Sequence, residues 1–279
     1  MEKVRLALVQ MQSELGMLEK NLEKILEYVA RAGDRGVDII CFPEMCLQGY
    51  SRDKSQKTAV PVPGDITGSI GEAAVGAGVT VLVGLAEASE TGKPYITQLV
   101  LFPDGTAEKY RKTHLGKSEQ PYYTAGDELP VFSTAKARFG IQICWDMHFP
   151  EVSAILSLKG AEIIFAPHAS PVIVGDRKGI WMKYLAARAY DNSVFVAACN
   201  LVGKDGAGQQ FCGGALVLDP KGNPVAECFD GKEGMLVADL DPELINTIRM
   251  KKSRSMRDSF YLECRRPELY GLLVEKANR

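Results

Sequence analysis

Short apolar runs alternate with amphipathic stretches along almost the whole chain. The runs are rich in β-branched residues and have the length of strands; they cover 4–11, 37–42, 79–86, 95–102, 139–144, 161–166, 193–199, 214–219 and 235–240. Several of them show no polar alternation, which is typical of strands covered on both faces. The pattern therefore predicts an α/β protein with one large mixed sheet or two sheets.

Helical spacing of apolar residues occurs between these strands at 17–32, 150–158, 178–191 and 242–252. The segments "PDGT" at 103 and "DPKGNP" at 219 predict hairpins between neighbouring strands. No linker rich in proline, glycine or serine divides the chain, so we expect a single domain over residues 1–279. Within it, residues 251–279 are first basic and then aromatic, and they form a C-terminal tail that packs on its own domain or contacts a partner subunit.

The charge balance and the cysteines limit the possible partners and compartments. The formal net charge of −2 argues against nucleic acid or an anionic membrane as the main partner. The seven cysteines include no CxxC pair, and the amino terminus lacks the layout of a signal peptide. No apolar run approaches the roughly 18 residues that a membrane span needs. We therefore expect free thiols and a cytoplasmic protein.

Cys144 is a candidate nucleophile because it ends a predicted strand just before a helix that begins near Pro150. A helix N-terminus or a nearby cation stabilises a thiolate, which is the nucleophilic form of cysteine. The alternative is a buried structural thiol, which is the commoner state of a free cysteine.

Glu44 and Lys112 are candidates for acid–base and electrostatic roles. Glu44 follows a strand that Pro43 ends, and a carboxylate among apolar neighbours has the raised pKa that a general base near neutral pH requires. If the segment around Lys112 is extended, Tyr110 and Lys112 share one face. An inward Lys112 could stabilise an oxyanion, whereas a solvated loop glutamate and a solvated basic edge are the alternatives.

Three segments in order resemble the signature regions of the nitrilase, or carbon–nitrogen hydrolase, superfamily: "FPE" at 42–44, "YRKTHL" at 110–115 and "CWDMHFPE" at 144–151. "RAYDNSVFVAACNLVG", "GALVLDPKGNPVAE" and "RRPELYGLL" extend the resemblance over essentially the whole chain. The resemblance implies a four-layer α-β-β-α sandwich that commonly forms homodimers or larger homo-oligomers.

The resemblance also assigns roles to individual residues. Cys144 is the implied nucleophile, Glu44 the general base and acid, and Lys112 the cation that stabilises the oxyanion. A second glutamate of the family corresponds to Glu119 in "EQPYY", with the nearby Glu128 as an alternative. Neither a metal nor an organic cofactor is implied.

The expected substrate is a small linear amide or N-carbamoyl compound, hydrolysed through a thioester with release of ammonia. "CWD…FPE" is similar to the form in N-carbamoylputrescine amidases, but Met147 and His148 depart from that branch. The candidate substrate-binding residues are Trp145, His148, His168 and Tyr122. Arg177 or Lys178 could bind a substrate carboxylate, although a surface pair at a helix start is the more ordinary interpretation.

Four other interpretations stay open at this point. A nitrile could replace the amide as substrate. His114, His148 or His168 could serve as the base of a Cys-His hydrolase, or join Cys144 in a zinc site, although the spacing does not favour zinc. A catalytically silent binding or scaffold protein is the alternative from another functional class.

Overall fold

The strands of the protein form two six-stranded sheets and one short hairpin. The computed structural model describes residues 1–90, 92–250, 255 and 259–275. Its strands are β1 (Val4–Gln10), β2 (Ile39–Cys41), β3 (Thr80–Glu87), β4 (Tyr95–Leu101), β5 (Ala107–Arg111), β6 (Phe132–Ser133), β7 (Arg138–Ile141), β8 (Ile163–His168), β9 (Phe195–Asn200), β10 (Val202–Lys204), β11 (Gln210–Cys212), β12 (Ala215–Leu218), β13 (Pro224–Cys228) and β14 (Gly234–Leu240). The first sheet has the order β14-β1-β2-β3-β4-β5 and the second β13-β12-β9-β8-β7-β6, while β10 pairs with β11.

The α-helices of the described residues are α1 (Leu18–Asp34), α2 (Ser55–Thr58), α3 (Asp65–Ala77), α4 (Pro150–Leu158), α5 (Arg177–Asn192) and α6 (Pro242–Met250). α1 and α3 pack together beside the first sheet, and α4 and α5 pack on the second. The inner faces of the two sheets meet through β1 and β9. This arrangement is the predicted four-layer α-β-β-α sandwich.

The second sheet explains why its strands are apolar on both faces. In β8, Ile163 and Phe165 lie in the core between the sheets. Ile164 and Ala166, the alternate residues, pack against the helical layer that contains Trp181. Since both faces are removed from water, period-two polarity is absent, as expected for a central strand.

Local differences from the predicted elements have physical causes. The two predicted hairpins are confirmed, since β4–β5 and β12–β13 pair antiparallel. Helix α3 was not predicted because Gly68, Gly71 and Gly76 are poor helix formers, yet its buried face packs closely on α1, where a Cβ at Gly33 would come within 3.0 Å of Ala77. The predicted strand 139–144 is too long, because β7 ends at Ile141. Residues 251 and 252 of the last predicted helix lie outside the described residues.

The described part of the C-terminal tail begins on its own domain and then becomes exposed. The Tyr261 and Tyr190 rings lie 5.6 Å apart between centroids, and their hydroxyls are 2.9 Å apart. Further on, Leu272 and Val274 are largely exposed. The role of the tail at a subunit interface stays a prediction. None of the described helices combines the length and apolarity of a membrane-spanning segment.

Candidate active site

The three predicted reactive side chains follow three strand ends. Glu44 lies in the turn after β2, Lys112 directly after β5, and Cys144 in a 3-10 turn (144–148) after β7. β2 pairs parallel with β3. Two successive antiparallel pairings, β3 with β4 and β4 with β5, make β5 parallel to β3 and therefore to β2. The side chains therefore come together where the carboxyl ends of strands from both sheets meet.

Lys112 is the centre of this cluster. Its side chain is 1% exposed, and its Nζ lies 2.8 Å from Glu44 Oε1 and 2.8 and 3.0 Å from the two carboxylate oxygens of Glu119. Lys109 and Arg111, on the other face of β5, instead pair with Glu87. Lys112 therefore points inward and is not part of a solvated basic edge. Burial lowers the pKa of Lys112, but Glu44, Cys144 and Glu119 together with Tyr50 raise it by more, so the pKa lies well above the usual value.

Glu119 is held in place by several donors. The Tyr50 hydroxyl donates to Glu119 Oε1 at 2.8 Å, and the Gly116 backbone N–H donates to Oε2 at 2.7 Å. The indole of Trp145 lies beside Gly116, because a Cβ on that glycine would be 3.9 Å from the ring. Glu128, the alternative to Glu119, is exposed. The structure therefore brings Glu119 into the cluster, and sequence reasoning missed the part played by Tyr50.

The Glu44 carboxyl is 1% exposed, and burial raises its pKa to about 7. Lys112 and the neighbouring Cys144 thiol limit this rise. The Oε2 atom of Glu44 has no hydrogen-bond partner among the described residues. One oxygen of Glu44 is thus bound to Lys112, while the other is unpaired.

The turn that carries Glu44 lies directly on β3. A Cβ at Gly84 would lie 2.2 Å from the Pro43 carbonyl oxygen and 2.6 Å from the Met45 nitrogen, so only glycine permits this approach. Met45 itself has a positive φ of 52°. The position of Glu44 is therefore fixed by backbone contact and by local strain.

Cys144 also lies in the left-handed region, with a φ of 46°. A non-glycine residue there is strained, and such strain is concentrated at functional turns. Burial raises the pKa of the thiol to about 12; Glu44 adds to the rise and Lys112 opposes it. Burial and the carboxylates thus outweigh the effect of Lys112 on the pKa of Cys144.

Asp146 joins the turn of Cys144 to the end of β5. Its carboxylate accepts hydrogen bonds from the Tyr110 hydroxyl at 2.7 Å, from the His114 backbone N–H at 2.8 Å and from the Ile143 backbone N–H at 2.9 Å. The side chain is completely buried. Sequence analysis placed Asp146 next to the nucleophile but had no signal for this linking role.

The predicted pocket residues fall into two groups. Trp145, His148 and Tyr184 form a row, with ring centroids 4.8 Å and then 4.9 Å apart, and Trp145 is 44% exposed. His168 continues the row, since its Nε2 lies 3.3 Å from the Tyr184 hydroxyl. Tyr122, by contrast, is exposed, and its described contact is a backbone hydrogen bond to Glu119. The structure does not bring the Tyr122 side chain into the cluster.

The histidines do not form a Cys-His arrangement. Burial lowers the pKa of His168 to about 3, and its Nδ1 lies 2.7 Å from the Ala166 carbonyl oxygen. His114 stacks on Phe149 at 3.8 Å between ring centroids. The ionisable groups that shift the pKa of Cys144 most are Glu44, Lys112 and Glu119. Within the described residues, no group of three His, Cys, Asp or Glu side chains could hold a metal ion.

Arg177 and Lys178 differ in position although they are adjacent. Lys178 is exposed and pairs with Glu227, as expected for the surface of a helix start. Arg177 is 7% exposed and lies over the Trp181 ring, with 5.8 Å between Cζ and the ring centroid. The interpretation as a surface pair is therefore wrong for Arg177.

Comparisons with known proteins agree with this geometry. The family model described as carbon-nitrogen hydrolase matches residues 5–250. An (R)-stereoselective amidase from Pseudomonas sp. is 31% identical over 275 residues, covering 98% of this chain and 95% of that protein. The omega-amidase NIT2-B of Xenopus laevis is 30% identical over 273 residues, covering 94% and 98%. A solved structure of the amidase from Nesterenkonia sp. AN1, a variant with the acetamide moiety of fluoroacetamide covalently added at the active-site cysteine, superposes with a TM-score of 0.82 at 26% identity, covering 96% of this chain and 95% of that one.

Proposed function

Since the chain belongs to the carbon–nitrogen hydrolase family, and is an enzyme that cleaves amide C–N bonds through a cysteine, we propose that it acts on small linear amides and N-carbamoyl compounds. Cys144 is the proposed nucleophile, Glu44 the general base and acid, and Lys112 the oxyanion-stabilising cation, with Glu119 as the fixed partner of Lys112. The observation that carries the proposal is the Lys112 ammonium, which lies 2.8 Å from both carboxylates in a buried site beside the thiol.

The first half of the reaction follows from the protonation states. With a pKa of about 12, Cys144 is a thiol at neutral pH, so its proton must leave as the sulfur attacks the carbonyl carbon. Glu44, with a pKa of about 7, is ionised in a large fraction of molecules, neighbours the thiol and has one unpaired oxygen, so it takes this proton. Lys112 and the backbone N–H of Trp145 stabilise the oxyanion, and each such donor contributes about 3–4 kcal/mol to the transition state.

The second half reuses the same carboxyl group. Protonated Glu44 gives its proton to the leaving nitrogen as the C–N bond breaks, which releases ammonia and leaves a thioester on Cys144. Ionised Glu44 then takes a proton from water, whose oxygen attacks the thioester carbon. The acid departs, and the proton on Glu44 returns to the sulfur. A single group with a pKa near the working pH can carry out all of these transfers.

The assignment is tested by measuring ammonia release from a panel of linear amides, N-carbamoyl amines and aliphatic nitriles, with the Cys144→Ala variant as the blank. We expect turnover of amides or carbamoyl compounds, weak or no turnover of nitriles, and no turnover by the variant. Nitrile turnover without amide turnover would show that the substrate is a nitrile and not an amide or carbamoyl compound. Activity in Cys144→Ala, with folding confirmed by circular dichroism, would remove Cys144 from the mechanism.

The organisation of the protein is part of the same proposal. The family match over 5–250 supports one carbon–nitrogen hydrolase domain in residues 1–279, with 251–279 as its tail. The exposed apolar residues of the tail support a homodimer or larger homo-oligomer, and the seven unpaired thiols support a cytoplasmic location. Light scattering that gave a monomer at working concentration would contradict the proposed homo-oligomer. Fractionation of the producing cells tests the cytoplasmic location.

A further inference from the structure

Arg177 is a buried cation with two donor atoms that have no hydrogen-bond partner. It is 7% exposed, and its Nε and Nη2 donate to no acceptor. In the described part of the chain it forms no ion pair, and its neighbour Asp176 instead accepts from the Gly179 backbone N–H at the start of α5. A buried guanidinium with unpaired donors is destabilising, so an anionic ligand would be strongly favoured there.

The two unused donors lie on the same edge of the guanidinium, the edge that binds carboxylates elsewhere in this chain. Arg5 binds Asp239 through Nε and Nη2 at 2.8 and 3.1 Å. Arg111 binds Glu87 through the same two atoms at 3.0 and 2.6 Å. This pairing is the bidentate geometry in which arginine recognises a carboxylate. Arg177 therefore presents an empty fork of the type that these two arginines fill.

The fork lies along the wall of the proposed active site. Arg177 lies over the Trp181 ring, whose centroid is 4.9 Å from that of His168. His168 in turn contacts the Tyr184 hydroxyl at 3.3 Å, and the Tyr184 ring lies 4.9 Å from that of His148. Arg177 also lowers the pKa of His148 and of His168, although burial contributes more in each case. The wall thus runs from the sulfur past Tyr184 to the guanidinium.

The charges on this wall differ from those around the nucleophile. His168 is neutral because its pKa is about 3, and the site carboxylates Glu44 and Glu119 are engaged by Lys112. An anion entering the site therefore finds in Arg177 a cation with two unpaired donors. A substrate with an uncharged tail would leave those donors unpaired, which disfavours it.

We propose that Arg177 is a specificity-determining residue that binds a carboxylate of the substrate, at the end remote from the bond that Cys144 cleaves. This inference rests on the proposed function and narrows it to anionic amides. Two chemical classes carry such a group: monoamides of dicarboxylic acids, in which it belongs to the acyl part, and N-carbamoyl amino acids, in which it belongs to the amine.

The experiment compares kcat/KM for matched anionic and neutral substrates, measured by ammonia release. Glutaric acid monoamide is paired with pentanamide, and N-carbamoyl-β-alanine with N-propylurea, so the two arms distinguish the two classes. We expect wild-type protein to prefer the anionic member of at least one pair by about 10²- to 10³-fold, and Arg177→Gln to reduce that ratio by a similar factor. Arg177→Lys, which keeps the charge without the fork, should retain an intermediate ratio. Lys178→Gln, the matched control at the neighbouring exposed cation, should leave the ratio unchanged.

The possible outcomes separate this inference from the proposed function. Wild-type turnover of the neutral amides without an anionic preference in either pair would overturn the role of Arg177 and leave the hydrolase intact; this comparison needs no variant to fold. An unchanged ratio in folded Arg177→Gln would overturn it as well. Absence of ammonia from every substrate would overturn the proposed function and the inference together.

Discussion

Replacing Glu44 with glutamine tests the electrostatic account of the site through protein stability, independently of any substrate. Glutamine has nearly the same shape and can still accept a hydrogen bond from Lys112, but it cannot ionise. Glu119 continues to bind Lys112 through both oxygens, so the ammonium keeps a partner. The variant therefore removes the titration of one buried carboxyl group and little else.

The magnitude follows from the pKa of Glu44, which rises from 4.5 to about 7 in the folded protein. Because the folded-state pKa is the higher one, folding favours the protonated carboxyl. Its stabilising contribution is complete below pH 4.5 and is lost as the pH rises to about 7. At about 1.4 kcal/mol per pKa unit, the loss is about 3 kcal/mol. The free energy of unfolding of the wild type should fall by this amount relative to Glu44→Gln between pH 4.5 and pH 8.

The assay is urea unfolding of both proteins at several pH values and at fixed protein concentration. Glu87→Gln provides a matched control, because Glu87 is 2% exposed and lies in the same sheet. Burial alone would raise the pKa of Glu87, but hydrogen bonds from Arg111 and Lys109 outweigh burial and lower it. Its contribution to stability is therefore present above its unfolded pKa and is lost as the pH falls. The two variants should show pH dependences of opposite sign.

A stability difference between wild type and Glu44→Gln that stays constant from pH 4.5 to 8 would refute this reasoning. The same would follow if Glu44→Gln and Glu87→Gln shifted in the same direction. The kinetic counterpart is that kcat/KM of the wild type should fall about tenfold per pH unit below pH 7, because the protonated carboxyl cannot act as a base.

Three further substitutions test how the site is built. Lys112→Met leaves two buried carboxylates without their cation. We therefore expect the free energy of unfolding to fall by about 3–5 kcal/mol and kcat/KM to fall at least 10²-fold. A variant that kept more than a tenth of the wild-type activity would contradict this. Asp146→Asn weakens the acceptor of several buried hydrogen bonds. It should lower the free energy of unfolding, measured in urea, by about 2–3 kcal/mol and should also lower kcat. Unchanged stability would contradict the linking role of Asp146. Gly84→Ala forces the turn of Glu44 to move and should reduce kcat at least 10²-fold. The control Gly76→Ala lies in open space on α3 and should leave kcat unchanged. Equal activities of the two variants would refute the role of the close contact at Gly84 in positioning Glu44.

Sequence periodicity could predict strands that are buried on both faces and could show which residues near Lys112 share a face, whereas the four-layer sandwich followed from the family resemblance. The absence of polar alternation in strands such as β8 follows from burial on both faces, and alternation along β5 was enough to place Tyr110 and Lys112 together. These features depend on neighbours in sequence. Helix α3 could not be predicted in the same way, because its glycines disfavour an isolated helix and its stability comes from packing on α1.

The electrostatics of the site lay beyond sequence reasoning because they depend on groups distant along the chain. Glu44 and Lys112 are 68 residues apart, and the Tyr50 hydroxyl reaches Glu119 across 69. The sign of the Cys144 pKa shift depends on whether burial or Lys112 dominates, which only coordinates can show. The burial of Arg177 beside an exposed lysine was likewise invisible, since both residues suit a helix start.

The hydrogen bonds around the two glutamates explain why their roles differ although both contact the same ammonium. Glu119 accepts hydrogen bonds from Tyr50, Gly116 and Lys112, so donors hold each of its oxygens and its position is fixed. Glu44 accepts a hydrogen bond from Lys112 on one oxygen, and its other oxygen has no hydrogen-bond partner among the described residues. A proton can move onto Glu44 without breaking an existing hydrogen bond, whereas protonation of Glu119 would displace a donor. In the proposed mechanism, Glu119 therefore secures the cation, and Glu44 is the group through which protons pass between sulfur, nitrogen and water.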